Sequence, residues 1–188
     1  MKPFTGFNAE PSKTVEALPA GGYVARIIKA EEVSYDWGSQ LRIFFDIAEG
    51  EHKDHFKTQY DSQTGEDKKW KGVYRQSIPK GDGSEKDGWS LRSFNNAIWA
   101  IEESNLGFHW DWDETKLKNK TVGVLFRNKE WEFNGRTGWT TECAMLTDAE
   151  SIRAGKFRIP KDKPLQNQPA SSTFTPADTL DDDDDCPF

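Results

Sequence analysis

The sequence predicts a mainly β domain of five strands, with one α-helix between the third and fourth, followed by a disordered C-terminal tail. Three features carry this reading: strict alternation over residues 41–47, one apolar stripe at helical spacing between Ser90 and Ser104, and an Asn134-Gly135 pair joining two strand-like runs. Leu41, Ile43, Phe45 and Ile47 alternate with Arg42, Phe44 and Asp46, the period of a strand with one face on a core. A first strand opens at Gly21-Gly22 and runs through Tyr23–Tyr35, ending in the turn Asp36-Trp37-Gly38-Ser39. Ala48-Glu49-Gly50-Glu51 turns the chain into a third strand, expected at His52–Tyr60. Residues 61–89, glycine-rich and charged, read as a long loop with one short strand near Val73-Tyr74. Leu91, Phe94, Ile98 and Ile101 then recur at spacings of three and four, with Ser90 as N-cap and Gly107 as the stop. Two further strands, Thr121–Phe133 and Arg136–Leu146, flank the Asn-Gly hairpin signal, and a short helix is expected within Thr147–Gly155. Three strands, a helix and two strands is the order of a five-stranded OB-fold-like barrel, whose helix plugs the barrel between strands three and four. A meander sandwich carrying a helical insertion has the same order.

Composition narrows the function classes. The 188 residues carry 32 acidic and 25 basic side chains, a net charge of −7, and lack an apolar run long enough to span a bilayer. The expected address is cytoplasmic, because Met1–Gly6 has no apolar signal stretch. Cys143 and Cys186 make neither a zinc site nor a disulfide framework. Residues 161–188 hold two basic and seven acidic groups, so most of the acidity belongs to the tail and residues 1–160 are close to neutral. All eight Trp lie between Trp37 and Trp139. The expected organisation is a domain over 1–160 with an irregular arm at 1–20, a disordered linker at 161–180, and an acidic tip at 181–188.

No catalytic constellation stands out, and neither a metal nor a cofactor is expected. Asp111, Asp113 and Glu114 place carboxylates close enough in sequence to keep a metal-dependent nuclease as the alternative reading, against the plainer one of a solvated acidic turn. Basic and aromatic residues are instead interleaved, as single-stranded nucleic acid requires: bases stack on rings and phosphates attract cations. The second strand offers Arg42 and Phe44 beside Trp37. The expected third strand and loop offer Lys57, Tyr60, Trp70, Tyr74 and Arg75, and the hairpin offers Arg127, Lys129, Trp131, Phe133, Arg136 and Trp139. Phe45, Phe94 and Trp99 are assigned to the core. A Trp-rich β-sandwich that binds carbohydrate is the second alternative.

The segment Leu180-Asp181-Asp182-Asp183-Asp184-Asp185-Cys186-Pro187-Phe188 resembles the acidic tip of bacterial and phage single-stranded DNA-binding proteins (SSB). Asn134-Gly135-Arg136-Thr137-Gly138-Trp139 is similar to the hairpin of a divergent phage-type class. The resemblance implies a non-catalytic protein that coats single-stranded DNA in a bacterium or a phage-infected host. It also implies recruitment of replication, recombination and repair partners, among them a recombinase, exonuclease or helicase. By position, Phe188 and its carboxylate would fill a pocket with a basic lip, Pro187 would shape the turn, and Asp181 to Asp185 would meet basic residues. Cys186 stands where the family usually has Ile. Members range from monomers to tetramers, so self-association stays open, and no membrane partner is implied.

Overall fold

A computed structural model describes residues 16–64 and 66–165; the acidic tip and the arm before residue 16 lie outside them. The elements run β1 (Gly21–Tyr35), β2 (Gly38–Ile47), α1 (His55–Ser62), β3 (Val73–Ser77), α2 (Glu85–Glu103), a 3-10 helix (Glu114–Leu117), β4 (Thr121–Phe133), β5 (Arg136–Thr147) and α3 (Ala149–Arg153). The strands form one antiparallel sheet in the order β3-β2-β1-β4-β5. The central strand β1 pairs with β4 over Gly21–Arg26 and with β2 over Ala25–Tyr35. Its register shifts at Ile28, a bulge that leaves Ile28 exposed and bends the strand so that two partners share it.

The inward faces of β1, β2 and β4 enclose Ala25, Ile27, Ile43, Phe45, Val122 and Val124, all fully buried. Helix α2 closes this core with Phe94, Ala97, Ile98 and Ile101, against β3, β4 and β5. Phe45 and Phe94 are therefore core residues as expected, but Trp99 is not: it is 50% exposed. The apolar stripe of α2 follows Phe94, Ile98 and Ile101, and Trp99 falls off it by one residue.

Three expectations need correction. First, the segment expected as the third strand is a turn followed by α1. The carboxylate of Asp46, at the end of β2, accepts hydrogen bonds from the backbone N–H groups of Phe56 (2.9 Å) and Lys57 (3.0 Å), capping a helix whose own N-cap, Asp54, makes no side-chain bond. Phe56 then enters the core edge-on to Phe45, with ring centroids 5.7 Å apart. The third strand is β3, within the stretch expected to be mostly loop. Second, α2 starts at Glu85 rather than Ser90, because the Ser84 side chain accepts from Asp87 N–H at 3.1 Å. Third, the sheet is open and not a closed barrel: no ladder joins β3 to β5 among the described residues.

The hairpin stands as expected, with Asn134 and Gly135 both at positive φ (51° and 72°), the requirement of a two-residue turn of type I′. Where the linker was expected to begin, Lys163 instead bridges β4 in parallel, donating its N–H to Asn128 O (2.8 Å) and accepting at its carbonyl from Glu130 N–H (2.9 Å). Leu165 N–H adds a bond to the Glu130 carboxylate at 3.0 Å. Residues 161–165 thus occupy β4's edge beyond the last β1 pair, where unpaired backbone groups would otherwise stand. No helix among the described residues is long and apolar enough to cross a membrane.

Two substitutions test this architecture. Asp46→Ala leaves the buried N–H groups of α1 without an acceptor and should lower stability by about 2 kcal/mol, read as a reduced urea midpoint at unchanged slope. Gly72→Ala would put a Cβ 2.3 Å from Phe45 O and should cost more, because the opposing atom is backbone.

Candidate nucleic-acid interface

The outward face of the sheet follows from the alternation that builds the core. With Leu41, Ile43 and Phe45 inward, Arg42 and Phe44 point outward, and the β2–β3 register sets Arg42 opposite Arg75 and Phe44 opposite Val73. Two like charges facing each other across adjacent strands repel. Neither guanidinium has an acidic partner among the described residues. Glu31, opposite Arg42 on β1, is paired with Lys29 instead. Arg42 donates through Nη2 to the Tyr35 hydroxyl and lies 5.7 Å from that ring's centroid, while its buried Nε has no hydrogen-bond partner. Trp37, in the turn between β1 and β2, stacks on Tyr35 with centroids 4.9 Å apart and planes 9° from parallel, and is still 55% exposed. Lys29 Nζ stands 5.6 Å from the Phe44 ring. Rings and cations therefore alternate over one face.

A second cationic region lies where the sheet is open. The edges of β3 and β5 border a cleft of about 1020 Å³, with Trp70, Arg75, Trp89, Arg127 and Lys129 among its lining residues. Arg127 donates to Glu142 from Nη2 (2.8 Å) and Nε (3.1 Å), and Lys129 Nζ is 2.9 Å and Lys163 Nζ 3.9 Å from the same carboxylate. One acid thus holds three cations, leaving a positive surplus. Burial alone would raise the Glu142 carboxyl, but the hydrogen bonds from Arg127 and Lys129 outweigh it and hold it below its ordinary 4.5.

Other expected residues are distributed differently. Tyr74 is buried (5% exposed), its hydroxyl 2.8 Å from Gln76 Oε1 and its ionisation pushed up by desolvation, so it belongs to the core and not to the surface. Trp70 is half-buried and donates its indole N–H to Phe45 O at 3.0 Å, with Tyr60 tilted against it and Lys68 over Tyr60. Lys57 is tied to Asp61 one turn along α1 at 2.7 Å. The hairpin cluster divides. Arg127, Lys129, Trp131, Phe133 and Arg136 share one face by register, with Trp131 lying against Gly138, while Trp139 pairs with Glu130 on the opposite face. Phe133 and Trp139 are both well exposed.

Tyr35, Trp89 and Glu142 were not among the expected residues. Tyr35 has the same outward parity as Arg42. Trp89 precedes the helix start expected at Ser90 and lies on the first turns of α2; the Ser84-x-x-Asp87 spacing is the signal that puts it on a helix. Of the acidic group, Asp113 caps the 3-10 helix through Thr115 N–H (3.1 Å), and Lys116 pairs with Asp111 and lies 3.8 Å from Asp113. Among the described residues no group of three or more His, Cys, Asp or Glu is arranged to hold a metal ion.

Because Glu142 ionises more readily folded than unfolded, its contribution is present above about pH 4.5 and is lost as pH falls through its lowered native value. Glu142→Gln should flatten the acid limb of the stability profile below that pH, with an effect on the order of 1 kcal/mol given its partial exposure; an unaltered limb would count against the charge cluster. No protein-family model matches the chain, and no curated protein matches it.

Proposed function

We propose that the protein binds single-stranded DNA largely without sequence preference, through phosphate contacts and base stacking, and that its acidic tip recruits DNA replication, recombination or repair enzymes. The observation that carries the reading is the Arg42–Arg75 pair. The two are register partners on the outward face with no acidic partner among the described residues, Arg42 keeps a buried Nε without a hydrogen-bond partner, and the Tyr35–Trp37 stack lies beside Arg42. Positive charge left uncompensated on one face is unfavourable in the free protein and becomes favourable once phosphates bind along it. The stacked Trp37 offers a free π-face next to that charge, and bare bases expose the matching surface, which duplex DNA conceals.

The sheet order supports the OB-type reading. β3-β2-β1-β4-β5 is the order of that barrel cut between its third and fifth strands, with α2 in the place of the plugging helix. In this reading the outer β2–β3 face and the hairpins β1–β2 and β4–β5 form the groove. The recruiting role rests on the resemblance of residues 180–188, which lie outside the described residues.

Intrinsic tryptophan fluorescence titrated with oligo-dT, duplex DNA and a polysaccharide tests the proposal. Quenching by oligo-dT alone, weakening as salt rises, is expected; equal response to duplex, or none to any probe, would falsify it. Arg42→Ala with Arg75→Ala should weaken oligo-dT binding at least tenfold and reduce the slope of log affinity against log salt by about 1.4, the share of two phosphate contacts on a single strand.

A further inference from the structure

Helix α2 packs Phe94, Ala97, Ile98 and Ile101 on the core, apart from the strands and hairpins of the proposed groove. Its N-terminal turns hold a feature that packing does not explain. Trp89 is 54% exposed and lies outside the buried set of α2, which runs from Phe94 to Ile101. It lines the cleft between β3 and β5, on a wall shared with Ser90 and Ser93. The Arg92 guanidinium, one turn further along, lies 5.0 Å from the Trp89 ring centroid. That arrangement backs one face of the indole with a cation and leaves ring surface open to solvent.

The platform is held in place. Ser93 Oγ donates to Gln76 Oε1 at 2.8 Å, tying α2 to β3 at the cleft. Below it, the Asp87 carboxylate accepts from the N–H groups of Lys80 (2.6 Å) and Gly81 (2.9 Å), which anchors the loop entering the helix. A ring fixed on a tethered helix loses little freedom when a ligand stacks on it. Arg127 and Lys129 of β4 and the exposed Arg75 of β3 line the same cleft. An indole backed by a guanidinium, with further cations within one cleft, suits an unpaired base joined to its phosphates.

We propose that Trp89 and Arg92 form a stacking platform for one base of the bound strand, so that the strand leaves the β2–β3 face and passes through the gap between β3 and β5 along α2. This rests on the single-stranded DNA reading, and it adds a helix to a surface otherwise made of strands and hairpins. The consequence is a path from Arg42 and Arg75 towards the β4 cations through the open seam.

The same helix supplies the control. Trp99 is exposed to nearly the same degree, 50%, but lies about 15 Å further along the axis and does not line the cleft. Binding of fluorescein-labelled oligo-dT, followed by anisotropy in the full chain, should weaken about tenfold for Trp89→Ala and stay within twofold for Trp99→Ala. Trp89→Phe, which keeps a smaller ring, should fall between them, and urea midpoints of all three variants show whether the fold is intact. Arg92→Gln, which removes the cation behind the ring, should weaken binding less than Trp89→Ala does; binding weakened as much as by Trp89→Ala would count against a backing role for Arg92. If the unsubstituted protein binds oligo-dT and Trp89→Ala matches Trp99→Ala, the platform is overturned while the parent reading stands. If the unsubstituted protein does not bind, the parent reading itself fails.

Discussion

One strand supplies both the floor of the molecule and its reactive exterior. In β2, Leu41, Ile43 and Phe45 fill the core while Arg42 and Phe44 face solvent, and no intermediate register exists. A slip of one residue would bury a guanidinium and expose three apolar side chains, a penalty of several kcal/mol at ordinary transfer values. The core therefore fixes where the arginines stand. Pairing with β1 and β3 passes this constraint outward, placing Tyr35 beside Arg42 and Arg75 opposite it.

The two cationic regions are held by opposite means. At β2–β3 the arginines have no counter-charge among the described residues, and Arg42 is oriented by an aromatic ring and hydroxyl. At the cleft, a single carboxylate gathers Arg127, Lys129 and Lys163. The first arrangement leaves repulsion for a ligand to relieve. The second keeps its cations oriented, and an incoming anion must compete with Glu142 for them. A polyanion crossing both would gain most at the first, where nothing has to be displaced.

What the sequence disclosed follows the range of the forces involved. Alternation in β2, the Asn134-Gly135 turn and the stripe of α2 are local patterns, and each produced the element it announced. Helix α1 was illegible because its cap is Asp46, eight residues before the helix N-cap, and because a short polar stretch around Phe56 has no periodicity of its own. The division of the hairpin rings follows from parity along β4, which separates Trp131 from Trp139 although both flank the same turn. Tyr74 sits on the inward parity of β3, and a strand with one outward arginine between two buried residues can be read only once its pairing partner is known. The opening between β3 and β5 has no local signature at all, since it depends on two edges far apart in the chain.

The short segment that lies against β4 has a mechanical implication. Because Lys163 and Leu165 are pinned to that strand, whatever follows departs from beside the hairpin and not from an arbitrary place on the body. Asp181 is sixteen residues beyond Leu165, a contour length of at most about 55 Å. Under the proposed recruiting role, an enzyme bound at residues 181–188 would be held within that contour length of β4, and its reach would be set by where the anchor sits.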